Sequence, residues 1–153
     1  MKCKYSITLI FILLVNISLQ AQKNKWTGKK DSMGEPHGYG KMIYKDGSTF
    51  EGEMCCGNVV KGTYTYTSEA GYECKYIGTF RLIDGYVKKD GFGQIWWKGN
   101  YYIGYFAGDL EHGHGTLVEE NGTSKTGFFD NGVFYGGFIT DKNGNLLNFH
   151  KEP

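Results

Sequence analysis

The chain has 153 residues, 40% apolar and 22% charged, with a formal net charge of +1. That is one domain's length and not the composition of a disordered tail, and its near-neutral charge excludes nucleic acid as a partner, because phosphate binding needs a concentrated basic surface. With 24 Gly, 2 Pro, 12 Tyr, 10 Phe and 3 Trp, it also excludes a fold of long helices and points to strands separated by tight turns.

Residues 1–21 read as a secretory signal peptide. Lys2 and Lys4 make a basic start, Ile7 to Val15 an apolar run, and Ser18 to Ala21 a small, polar exit. The run is shorter than the roughly 20 apolar residues that a spanning helix needs. The expectation is an exported protein, periplasmic, held in the cell envelope or secreted, cut after Ala21. Loss of Lys2 and Lys4 leaves 15 basic against 16 acidic side chains, a net −1. Residues 22–25 follow as a linker.

From there an aromatic-x-Gly unit recurs as Trp26-Thr27-Gly28, Phe50-Glu51-Gly52, Tyr76-Ile77-Gly78 and Tyr102-Ile103-Gly104, with Lys125-Thr126-Gly127 a degenerate fifth copy. The glycines are 24, 26, 26 and 23 residues apart. Between them stand His37-Gly38-Tyr39-Gly40, Asp90-Gly91-Phe92-Gly93 and His112-Gly113-His114-Gly115, with Gly62 alone in the second copy. Each repeat therefore reads as two extended runs joined by a glycine-bearing turn. Strand alternation puts Gly52, Gly78, Gly104 and Gly127 on the apolar face, where an absent side chain leaves room for neighbouring rings. The other face reads as mainly solvated.

These residues resemble the MORN repeat: Tyr76, Gly78, Phe80, Gly91 and Gly93 in the third copy, and Tyr102, Gly104, Phe106, Gly108, Gly113 and Gly115 in the fourth, match it best. Val60 stands where the second copy should have a glycine, and Gly78 to Gly91 is lengthened. The resemblance implies an all-β protein, an elongated single antiparallel meander of about ten strands over residues 26–139. A capping hairpin or tail follows in 140–153, with Phe138 to Asp141, a turn at 142–145 and Leu146 to Phe149. At the other end, Lys23 to Lys30 reads as polar and prone to fraying.

No enzyme is expected. Glu119 and Glu120 point to opposite faces by strand alternation and cannot act together as acid and base. No nucleophile elbow or phosphate loop is visible, and Gly91-Phe92-Gly93 opens a strand rather than a helix. His112 and His114 suggest a metal, yet His37, Asp90 and His112 are explained as polar turn residues of the repeat, so no metal or cofactor is assigned. Asn121-Gly122-Thr123 reads as a turn ahead of a glycosylation acceptor. Cys55 and Cys56 should lie well over 10 Å from Cys74, by about 3.3 Å per residue along the strands, and so form no bridge with it.

Surface remains as the basis of function. Phe50, Tyr76, Phe80, Trp97, Tyr102 and Phe106, with Tyr64 and Tyr66, line the glycine-bearing face, either packed against one another or partly open as a groove for a peptide, a helix or a second copy of the chain. Trp96, Tyr105 and Phe128 fall on the other face as a second platform. The expectation is an exported protein-interaction or assembly scaffold. Its rivals are a phospholipid-headgroup adaptor, for which only Lys29-Lys30 and Lys88-Lys89 offer paired charge, and a glycan-binding module built around Trp96.

Overall fold

The computed structural model describes residues 24–150; the expected signal peptide, the start of the linker and residues 151–153 lie outside them. Eleven strands run in chain order in one antiparallel sheet. They are β1 (Lys25–Lys30), β2 (Pro36–Ile43), β3 (Thr49–Cys55), β4 (Asn58–Thr67), β5 (Glu73–Ile83), β6 (Tyr86–Trp97), β7 (Asn100–Ala107), β8 (Leu110–Val118), β9 (Ser124–Asp130), β10 (Val133–Thr140) and β11 (Leu146–His150). None of the described residues is helical. The segment expected to fray is a paired strand, since Trp26 of β1 sits opposite Met42 of β2 and packs against the buried cluster of Met42, Phe50 and Met54.

Turn chemistry differs between the two ends of the sheet, apart from Lys98-Gly99, a mirror-image turn at the second end, and Asp31–Glu35, a wide turn at the first. At one end Cys56-Gly57, Asp84-Gly85, Gly108-Asp109 and Asn131-Gly132 each place two consecutive residues at positive φ, the mirror-image turn whose twist suits a hairpin. At the other end Tyr44–Ser48, Ser68–Tyr72, Glu119–Thr123 and Asp141–Asn145 close as wider turns, the N–H of the first residue donating to the carbonyl of the last at 2.8 to 2.9 Å. Asn121 belongs to one of these, its Oδ1 accepting the Thr123 N–H at 2.7 Å.

One glycine from each of ten strands lines up across the sheet: Gly28, Gly40, Gly52, Gly62, Gly78, Gly93, Gly104, Gly115, Gly127 and Gly137 are successive cross-strand partners. Beside it runs a rail of larger side chains, with Phe50, Tyr64, Tyr76, Ile95, Tyr102, Leu117 and Lys125 in register. The rings lie over the glycines. A Cβ added to Gly78 or to Gly93 would stand 2.6 Å from an atom of the Tyr76 ring, and Tyr102 covers Gly104 and Gly115 in the same way. Each aromatic-x-Gly unit thus seats one ring over its own strand and the next. Where Lys125 replaces the ring, its ammonium pairs with Glu119 instead.

Past the glycine row the hairpins bulge. In β1/β2, β5/β6 and β7/β8 three residues of the second strand face one of the first, and Gly38, Gly91 and Gly113 sit within the bulge at φ 74, 88 and 71. In β3/β4 and β9/β10 the surplus is one residue, Val60 or Tyr135, neither of which takes a positive φ. The second repeat tolerates Val60 for that reason: its smaller bulge never calls for a left-handed residue.

Candidate functional site

The glycine-bearing face is the core. Phe50, Tyr76 and Tyr102 are 0% exposed and Phe106 4%. Their rings meet edge to face in an unbroken series, Phe50–Phe80 at 5.8 Å, Phe80–Tyr76 at 5.1 Å, Tyr76–Phe106 and Phe106–Tyr102 at 5.2 Å, and Tyr102–Phe129 at 5.1 Å. Phe80 and Trp97 are half-buried against the same cluster. Of the two readings the sequence left open, the packed one describes Phe50, Tyr76, Tyr102 and Phe106. As a groove for a partner they offer no surface, because the rings consume one another's area.

Three of the repeat aromatics also use their polar end. Tyr76 Oη donates to the Thr79 carbonyl at 2.9 Å, Tyr102 Oη to the Tyr105 carbonyl at 3.1 Å and Trp26 Nε1 to the Lys29 carbonyl at 2.8 Å. In each case the acceptor is three residues along, inside the bulge, where the ladder leaves a carbonyl without its usual partner. Burial, followed by the nearby Asp109 and Asp90 charges, raises the Tyr76 hydroxyl well above the ordinary tyrosine range; burial and then Glu111 do the same to Tyr102. Tyr66 is pushed up to about 12, by burial first and by Cys74 next. These phenols hold their protons and serve as donors, not bases.

The outer face divides along the sheet. Across β1 to β4 it carries Thr27, Lys41, Glu51 and Thr63 in one register row, with Lys41 Nζ 4.0 Å from Glu51. From β5 onward the same row continues through Ile77, Gln94, Ile103, Thr116 and Thr126 and ends at Phe138 and Phe149, whose rings are 5.0 Å apart. Above and below it on β6 and β7 lie two further cross-strand pairs, Phe92–Tyr105 at 5.5 Å and Trp96–Tyr101 at 5.0 Å. Phe92 is 52% exposed and Tyr105 53%. Phe128 of β9 stacks edge-on against His112 and His114. The three residues of the second platform, Trp96, Tyr105 and Phe128, therefore share one face on nearby strands.

Sequence reasoning missed Phe92, Tyr101, Phe138 and Phe149 as members of this face. Tyr101 was visible beside Tyr102 as a doublet. Phe92 follows from alternation two places before Gln94, in regular register with Tyr105, but as the middle residue of Gly91-Phe92-Gly93 it was read as part of the turn motif.

On this surface Arg81 binds Asp90 at 2.9 Å and stands in register with Lys88, and Lys75 stands over the Trp96 ring at 5.8 Å. Lys89, in register with Phe80, belongs to the glycine-bearing side, 3.7 Å from Asp109 and over the Tyr76 ring. His112 Nδ1 is 3.3 Å from Asp130 Oδ1. The two lowered carboxyls, Asp46 and Asp141, owe their shift chiefly to hydrogen bonds from Ser48 and from Asn145 within exposed turns, which is turn capping rather than acid-base chemistry.

The sequence profile of the MORN repeat matches residues 32–49 and 102–124, in the first and fourth hairpins. The chain carries MORN repeats, folded as a repeated β-hairpin meander. Such repeats form a non-catalytic family of protein- and membrane-interaction modules. The third hairpin fits the residue pattern but has strands of 11 and 12 residues against 8 and 9 in the fourth, and this lengthening separates its two halves. No curated protein matches the chain.

Proposed function

We propose that this chain of MORN repeats is an exported, non-enzymatic scaffold that binds another protein across the outer face of its C-terminal half, with Phe92, Trp96, Tyr105 and Phe128 as contacts. The observation that carries the reading is the Phe92–Tyr105 pair: two large rings in cross-strand register, each more than half exposed, on a sheet face that no second layer among the described residues covers. Exposed aromatic clusters of this kind are enriched where proteins meet. The charge pattern supports a protein ahead of a membrane. On the outer face Lys41 neighbours Glu51 and Arg81 neighbours Asp90, and the adjacent cationic pair of Arg81 and Lys88 is small, whereas headgroup binding needs concentrated cations.

The test is a crosslinking pull-down from the envelope fraction of the exporting cell. The doubly substituted Phe92→Ala/Tyr105→Ala chain should lose its partner, and Lys88→Ala/Lys89→Ala should keep it. Retention by the aromatic variant together with loss by the lysine variant, in a salt-sensitive manner, would transfer the function to the headgroup reading.

A glycan is the second reading, and one observation favours it. Trp96 and Tyr101 lie at 34° to each other in a shallow cleft that Glu73, Lys75 and Asn100 also line, so flat rings stand beside polar groups as sugar stacking requires. An oligosaccharide array probed with the folded chain separates this from protein binding.

A further inference from the structure

The position before each Gly-x-Gly faces a residue on the neighbouring strand. On β8 and β9 the facing pair is His112 and Asp130, and on β6 Asp90 holds Arg81 from the other side. On β2 and β3 the register pairs Gly38 with Met54, and one step further it brings His37 opposite Cys55. The β3–β4 turn then adds Cys56. Held at φ 50, it turns back so that its Sγ lies 3.5 Å from that of Cys55. Gly57 N–H donates to the Pro36 carbonyl at 3.0 Å and ties this turn to the strand that carries His37. The imidazole donor and both sulfurs lie within 4.8 Å of one another, and all three residues are exposed.

We propose that His37, Cys55 and Cys56 form a binding site for a thiophilic d10 cation, Zn2+ or Cu+. In a trigonal or tetrahedral site, sulfurs about 2.3 Å and a nitrogen about 2.0 Å from the ion stand about 3.8–4.0 Å (S to S) and about 3.5–3.7 Å (N to S) apart, so the 3.5 Å sulfur pair already fits and the imidazole has at most about 1 Å to close. Two thiolates and an imidazole are the wrong ligands for Mg2+ or Ca2+ and the right ones for these soft ions. Neighbouring acid favours a cation as well. The Glu35 carboxylate stands 3.1 Å from where a Cβ of Gly57 would be. Cu+ would take the three donors alone, whereas Zn2+ would complete a tetrahedron with water. Binding displaces the two thiol protons to solvent. The site lies where β2 begins and β3 ends, beside the β3–β4 turn, away from the proposed protein-binding face on β6 to β9, and stands or falls independently of it.

The test uses the full chain carrying Cys3→Ser, purified with reductant, and titrates Zn2+ and Cu+ separately against a chromogenic chelator of each ion. One ion should bind per chain. Cys55→Ser and Cys56→Ser should each abolish it, His37→Ala should weaken it by at least about tenfold, and Cys74→Ser should leave it intact. Because the three proposed ligands are exposed, thermal melts of their variants should match the parent. The proposal is overturned if neither ion competes with its chelator. It is equally overturned if His37→Ala binds as tightly as the parent, or if the chain isolated without reductant has Cys55 and Cys56 bonded to each other and retains no metal.

Discussion

The Tyr102 hydroxyl donates to the main-chain carbonyl of Tyr105 at 3.1 Å, and the Tyr76 hydroxyl repeats that contact with Thr79 at 2.9 Å one repeat earlier. Each phenol therefore covers two glycines with its ring and satisfies a bulge carbonyl with its tip. Removing only the hydroxyl deprives a part-buried contact of its donor, at a cost of about 0.5–1.5 kcal/mol. Tyr76→Phe and Tyr102→Phe should each lower the melting temperature by several degrees. Phe50 shows that the ring alone can fill the place, so both variants should fold. Melts that coincide with the parent would show that water supplies the missing donor.

The same burial gives the protein a defined alkaline weakness. Tyr66, Tyr76 and Tyr102 hold their protons more tightly folded than unfolded. Their contribution to stability is complete below the unfolded tyrosine value of about 10 and is lost as the pH climbs from there toward the folded values. Denaturant midpoints should fall as the pH rises from about 10 toward about 12, and Tyr102→Phe should make that fall shallower. A midpoint constant over this range would mean that the phenols ionise in the folded sheet.

The glycine row predicts a steep intolerance of side chains. A Cβ at Gly78 would lie 2.8 Å from Gly93 Cα, and one at Gly104 would lie 2.6 Å from Gly115 Cα, so backbone as well as ring would have to move. Overpacking of this kind costs about 1–3 kcal/mol. Gly78→Val and Gly104→Val should both melt clearly below the parent, while Tyr105→Ala on the exposed face should stay within about 0.5 kcal/mol. Valine variants as stable as the parent would mean that the rings do not lie over the glycines.

The meander, the repeat period and the glycine-bearing face were legible because a period of two in Phe50/Gly52/Met54 and Tyr76/Gly78/Phe80 maps directly onto a pleated strand. Tyr39 and Phe92 keep that alternation, in register with Glu53 and Tyr105, but the bulges toward β1 and β5 that flank them were not legible, since two residues of surplus in the second strand leave no period to read. The sequence also could not decide whether the aromatic face was filled. That depends on the curl of the sheet, which brings Phe80 of β5 onto Phe50 of β3 across the intervening strand. The meeting of His37 with Cys55 and Cys56 was equally hidden, as it rests on the β2–β3 register and on the left-handed turn at Cys56. The outer-face rings were only half visible: Trp96 and Tyr105 show up as members of doublets, but their neighbours on adjacent strands do not.

The cysteines yield the last expectation. Cys74 pairs in register with Tyr66 near the wide-turn end, whereas Cys55 closes β3 at the opposite end. β3 and β5 run the same way, and seven residues of strand separate the two levels, about 23 Å at 3.3 Å per residue. That is far beyond the roughly 7 Å Cα limit for a disulfide. Cys55 and Cys56 are exposed and Cys74 is 4% exposed. With Cys3→Ser in place, a thiol reagent should therefore modify two groups at once in the native chain and the third only as the sheet opens, at a rate that follows denaturant. Rapid modification of all three, or a peptide map joining Cys74 to either of the others, would contradict the hairpin register.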